Sequence, residues 1–156
     1  MSNIDENRIS RDPLTPAQRS KCMSRVKNKN TNIEVKLRSA IHSEGFRFLK
    51  HVKELPGTPD LVFTRAKLAV FIDGDFWHGY RFNRLKLNLK PFWRDKIQTN
   101  RQRDIRNFCA LRDMGWRVIR IWQHEIKKDL PKAVRRVLNA YHLRINANKE
   151  ANPGKV

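Results

Sequence analysis

Apolar residues recur at helical spacing early in the chain, give way to short continuous apolar runs in the middle, and return to helical spacing toward the end. Thr15-Pro16-Ala17-Gln18 supplies an N-cap, a proline at the first helical position and a capping partner, which predicts a short basic helix carrying Arg19, Lys21 and Arg25. Thr31-Asn32-Ile33-Glu34 repeats the capping pattern ahead of the stripe Ile33, Leu37, Ala40 and Ile41, so a helix is predicted over 31–44, ending at Gly45. Phe46 to His51 reads as a strand, and Leu55-Pro56-Gly57-Thr58-Pro59 as a turn. Further strands are predicted over 60–64 and 68–73, joined by Arg65-Ala66-Lys67. The uninterrupted run Leu68-Ala69-Val70-Phe71-Ile72 predicts burial on both faces. Residues 75–89 read as a basic loop punctuated by aromatics, and 91–114 as a long helix bearing Phe92, Ile97, Ile105, Phe108 and Leu111. An alternating strand over 116–122 and a closing helix over 129–143 complete an α/β order, ααβββαβα, with no internal repeat. The expected organisation is an arm over 1–14, one domain over 15–143 and an unstructured polar tail over 144–156.

A chain of 156 residues has room for one domain with a proper core. Its 34 Lys and Arg against 15 Asp and Glu leave a net charge of +19, a bias toward a polyanionic partner such as nucleic acid. Charge alone does not make an enzyme: an architectural DNA binder or a ribosome-associated protein has the same composition. Cys22 and Cys109 are too few and too isolated for a disulfide framework, which points to a reducing compartment. No apolar run approaches the roughly 18 to 20 residues of a membrane span, and Met1 to Asn7 lacks a signal-peptide core. The expected setting is the cytoplasm, at the nucleoid, with no membrane partner.

Candidate chemistry gathers around the middle strands. Asp60 opens one strand and Asp73 ends the next, so a hairpin can bring both carboxylates to one sheet edge and offer oxygen ligands to Mg²⁺. A turn-forming or capping aspartate explains Asp60 as well. Asp73-Gly74-Asp75-Phe76-Trp77-His78 is more particular, with acids, two adjacent aromatics and a histidine directly after a buried strand. Phe76 and Trp77 either close one end of the sheet or insert between base steps of a duplex.

The string Phe71-Ile72-Asp73-Gly74-Asp75-Phe76-Trp77-His78 has companions on both sides: Pro56-Gly57-Thr58-Pro59-Asp60 before it, and Phe92-Trp93-Arg94-Asp95-Lys96-Ile97, Asn100, Arg103-Asp104 and Gly115-Trp116-Arg117-Val118 after it. Together, and in this order, they resemble the very-short-patch mismatch-repair (Vsr) endonuclease family. The resemblance implies the restriction-endonuclease-like fold, a mixed central sheet flanked by helices. It also implies a monomer that nicks one strand of double-stranded DNA with Mg²⁺, at a thymine-guanine mismatch in the repair members. Carried over, the active-site acid falls on Asp60, the helix glutamate on Glu34, the base on His78 and its supporting acid on Asp104. Mg²⁺ would then be held by Asp60 and the backbone carbonyl of Ile72. Without the resemblance, Glu34 reads as the capping partner of Thr31, Asp104 as a surface ion pair among arginines, and His78 as a loop histidine.

Two departures from the family pattern stand out. Its structural zinc ligands are replaced by Asp75, Tyr80, Phe82 and His124, a set too poor in thiolate and imidazole for tetrahedral zinc. No structural zinc is expected; Asp75 and His124 are expected to face each other, with Tyr80 hydrogen-bonding and Phe82 filling volume. Asp73 stands where repair members often have histidine, and either adds a metal ligand or shifts a water. Arg19, Lys21 and Arg25, Lys90 in the 81–90 loop, and Arg94, Lys96 and Arg101 on the long helix are expected to contact phosphates, with Phe76 and Trp77 as the wedge. Two rivals remain open: a nuclease of the same fold in phage defence or homing with a site-specific target, and a non-catalytic DNA-binding module.

Overall fold

The computed structural model describes residues 14–25 and 31–154. The chain divides into two units, residues 1–31 and 32–156. The expected arm, apart from Leu14, and the linker Asn28-Lys29-Asn30 lie outside the described residues. In the first unit, helix α1 (Pro16–Ser24) starts as its cap dictates. Thr15 Oγ1 accepts the Gln18 N–H at 3.2 Å, and Gln18 Oε1 accepts the Thr15 N–H at 2.9 Å.

The second unit contains α2 (Asn32–Ser43), β1 (Leu61–Phe63), β2 (Leu68–Asp73), α3 (Phe82–Leu85), α4 (Pro91–Asp113), β3 (Arg117–Trp122), α5 (Gln123–Lys128) and α6 (Leu130–Ala151). Strand β2 is the middle of a mixed three-stranded sheet. It runs antiparallel to β1, with Leu61 opposite Val70, and parallel to β3, from Leu68 opposite Arg117 to Asp73 opposite Trp122. Both faces of β2 are covered, the condition under which a strand reads as a continuous apolar run. Leu68 and Val70 pack with Leu37 and Ile41 of α2 and Val137 of α6, while Ala69 and Phe71 pack with Leu111 of α4. Strand alternation carries this to the end of β2, so that Ile72 packs against the α2–α6 layer and Asp73 falls on the α4 side.

Four expectations are corrected. Phe46 to His51 is not a strand: only a single bridge joins Leu49 to Val62, and His51 takes a left-handed φ of +49° that ends extended geometry. Residues 75–89 are not wholly loop, because buried Phe82 nucleates α3 and a 3₁₀ turn follows over Lys86–Asn88. The tail expected from residue 144 is helical to Ala151. Ile145 packs on the core, and Arg144 donates to the carbonyls of Ala66 at 3.1 Å and Gly115 at 2.8 Å. On α4 the buried stripe is Ile97, Asp104 and Leu111, one heptad apart, while Phe92 and Ile105 are exposed.

Candidate active site

Among the described residues, two clusters of three potential ligands occur, each with its ligand atoms within 4.8 Å of one another. The first comprises Asp73 from β2, His78 from the loop and Asp104 from α4. His78 Nδ1 lies 2.7 Å from Asp104 Oδ2, and His78 Nε2 lies 3.4 Å from Asp73 Oδ1. The short contact to a carboxylate assigns the proton to Nδ1, and Nε2 is turned toward Asp73 on the other side of the ring. The loop is pinned over α4 by two local devices. Asn100 Nδ2 donates to the Trp77 carbonyl at 3.0 Å, and Gly79 turns at φ +70° where a Cβ would lie 2.7 Å from Arg101 Cδ and 2.8 Å from Ile97 Cγ2.

Asp104 is buried, so the surface ion-pair reading does not hold for it. Burial raises its pKa, but the His78 hydrogen bond and the His78, Arg120 and Arg103 charges outweigh that and hold the group below its usual value. Asp73 goes the other way: burial pushes it up more than the His78 and Arg120 charges pull it down.

The second cluster is Glu34 from α2, His51 and Asp60. Asp60 Oδ2 accepts the Ile72 N–H at 2.7 Å, which ties the acid to the same residue whose carbonyl the family resemblance implies as a metal ligand. Its Oδ1 faces His51 Nδ1 at 3.8 Å, and His51 Nε2 lies 3.7 Å from Glu34 Oε2. Arg38 Nη1 approaches His51 Nε2 to 3.3 Å and Arg38 Nη2 approaches Glu34 Oε2 to 3.7 Å. Burial drives the Asp60 pKa up to about 7, against the Ile72 N–H and Arg38, with Glu34 and Asp73 adding to the rise. A carboxylate whose charge is disfavoured by burial, beside a second buried carboxylate, is a donor set that a hard divalent cation fits. Glu34 is 4% exposed and faces this cluster, where helix capping alone would not require it to be.

The expected single convergence of Asp60, His78 and Asp104 thus takes the form of two adjoining clusters. His78, Asp104 and Asp73 meet in one, Asp60 and Glu34 in the other, and Asp60 senses the Asp73 charge across the strand end. Sequence reasoning missed His51, Arg38 and Arg120. His51 carried a legible signal only in its proximity to the Pro-Gly turn; the two arginines were hidden among the 34 Lys and Arg.

Phe76 is 46% exposed and sits edge-on to Trp77 at 5.1 Å and to Trp93 at 5.8 Å, while Trp77 is partly buried against Trp93. Lys90 occupies the N-cap position of α4, Lys96 is exposed, Arg94 lies beside Asp95 at 3.8 Å, and Arg101 lies over the buried Phe82 ring at 5.0 Å. Arg19, Lys21 and Arg25 belong to the first unit. His124 Nδ1 and Asp75 Oδ1 are 2.7 Å apart; the Tyr80 ring lies tilted against the His124 ring at 4.3 Å, and the Tyr80 backbone N–H donates to the Asp75 carbonyl at 2.8 Å.

Residues 11–84 match the family model of the DNA mismatch endonuclease Vsr. The type II nicking enzyme V.XorIIP of Xanthomonas oryzae pv. oryzae is 45% identical over 117 residues, covering 74% of this chain and 86% of that protein. V.NmeDIP, a type II nicking enzyme of Neisseria meningitidis serogroup C, is 38% identical over 132 residues, 83% of this chain and 89% of that protein. The DNA mismatch endonuclease Vsr of Escherichia coli is 35% identical over 109 residues, covering 69% and 70%.

Proposed function

We propose, from the premise that this chain belongs to the Vsr endonuclease family, that it is a Mg²⁺-dependent DNA endonuclease nicking one strand of a duplex at a thymine-guanine mismatch. The observation that carries the chemistry is the 2.7 Å contact between His78 Nδ1 and Asp104, which orients Nε2 as a proton acceptor. His78 Nε2 takes the proton of the attacking water, and Asp104 steadies the imidazolium that results. Asp60, with the Ile72 carbonyl and Glu34 nearby, would hold the metal, which when bound supplies positive charge against the charge developing on the phosphate. Exposed Phe76, backed by Trp77 and Trp93, presents an apolar wedge of the kind that unstacks a base step. The cationic side chains of α1, Lys90, Arg94, Lys96 and Arg101 serve phosphate contact, with the enzyme acting as a monomer in the cytoplasm. No helix among the described residues is long and apolar enough to cross a membrane.

A substrate panel tests this reading. Supercoiled plasmid and duplexes carrying a thymine-guanine mismatch, other mismatches or full pairing are incubated with Mg²⁺ or chelator. Nicking of the mismatched duplex with Mg²⁺, lost in His78→Ala and Asp60→Ala while DNA binding persists, is expected. Full nicking by Asp60→Ala would remove the metal assignment. A second reading, a site-specific nicking enzyme whose target needs no mismatch, is favoured by the relatives named type II nicking enzymes; cutting of the fully paired duplex would select it.

A further inference from the structure

Each of the two acidic clusters has a guanidinium beside it: Arg38 lies 3.7 Å from Glu34 in one, whereas Arg120 bonds both carboxylates of the other. Arg120 lies on β3 opposite Phe71, and alternation along β3 turns it toward α4 with Val118. Its Nε donates to Asp73 Oδ2 and its Nη2 donates to Asp104 Oδ2 at 2.7 Å. The guanidinium is stacked on the Trp122 ring at 4.5 Å and the Phe108 ring at 5.1 Å, which fixes its plane. Asp73 and Asp104 are 4% and 7% exposed, so two buried carboxylates without a cation would be strongly unfavourable. A planar guanidinium serves both at once, where an ammonium acts as a single point charge.

With Asp60 as the metal acid and His78 as the base, a reading on which this assignment rests, we propose that Arg120 is the resident cation of the Asp73–His78–Asp104 cluster. It is a positioning residue: it keeps Asp73 out of metal ligation and clamps Asp104 against the His78 ring. Two carboxylates and an imidazole within 4.8 Å would otherwise form a second divalent-cation site. Asp73 then acts on His78, 3.4 Å away, and the metal is confined to the Asp60 side of the strand.

Mn²⁺ binding to the DNA-free protein, counted from loss of the free-ion electron paramagnetic resonance signal, tests this. Wild type is expected to bind one Mn²⁺ and Arg120→Met two, with Asp73→Asn added to Arg120→Met returning the count to one. Single-turnover nicking by Arg120→Met falls about 100-fold with DNA affinity within about twofold, as for a displaced reacting group. Arg120→Lys keeps the count at one and recovers part of the rate. One Mn²⁺ on Arg120→Met, two on the wild type, or undiminished nicking by Arg120→Met overturns the assignment. If Arg120→Met does not melt cooperatively, the count is made on Arg120→Gln, with the same expected and overturning results. Asp60→Asn distinguishes the underlying reading: unchanged Mn²⁺ binding there overturns the Asp60 metal site and leaves the Arg120 count to be judged by itself.

Discussion

Burial pushes the Asp60 carboxyl from its ordinary 3.8 up to about 7, with Glu34 and Asp73 adding and the Ile72 N–H and Arg38 opposing. Between those values the unfolded chain has released this proton while the folded chain keeps it, so folding stability falls as pH rises through that window. The contribution is complete below about 3.8 and gone above about 7. Its size is on the order of 2–4 kcal/mol for a side chain this shielded. Asp60→Asn keeps the acceptor for Ile72 without the charge, so it should melt higher than wild type at pH 8, with the gap closing toward pH 4. Adding Mg²⁺ at pH 8 should raise the wild-type melting temperature and leave Asp60→Asn unmoved; parallel melting curves across pH would sink the idea. Asp60, His78 and Asp104 could be singled out in the sequence because each lies inside a motif that carries the family resemblance. His51 was not, because its part depends on a left-handed backbone turn that places the ring between Glu34 and Asp60.

At the scale of elements, caps and periodicity located α1, α2, β2, α4 and β3, since these signals are local. What escaped depends on tertiary contact. The polar segment after residue 144 is helical because Ile145 reaches the core and Arg144 and Asn148 bond carbonyls of other elements. Asp104 falls in the buried stripe of α4, a place where sequence periodicity expects an apolar residue, and its bonds to His78 and Arg120 are what satisfy the buried carboxylate. The packing of the His78 loop on α4 gives a prediction at this scale. Gly79→Ala adds a Cβ against Ile97 and Arg101 at a left-handed φ, and should lower stability by about 1–3 kcal/mol. Asn100→Ala removes the bond to the Trp77 carbonyl and should cost about 1 kcal/mol. Both should reduce nicking more than DNA binding, as separate rate and affinity measurements would reveal; equal losses in the two would mean that the loop serves binding alone.

For the molecule as a whole, a net charge of +19 makes affinity for any duplex steeply dependent on salt, whichever substrate is cut. The individual cations are not equivalent. Lys96 is exposed on α4 with no ion-pair partner among the described residues, whereas Arg101 covers the Phe82 ring and packs against Gly79. Lys96→Ala should therefore weaken binding evenly across sequences and reduce the slope of log affinity against log salt by about 0.9, the loss of one phosphate contact. Arg101→Ala should also lower the melting temperature, because its stem and guanidinium fill space beneath the loop that bears His78. A salt titration of binding paired with thermal melts separates the two roles. An unchanged slope for Lys96→Ala would place the phosphate backbone elsewhere on the protein, and an unchanged melt for Arg101→Ala would make its contact with Phe82 incidental.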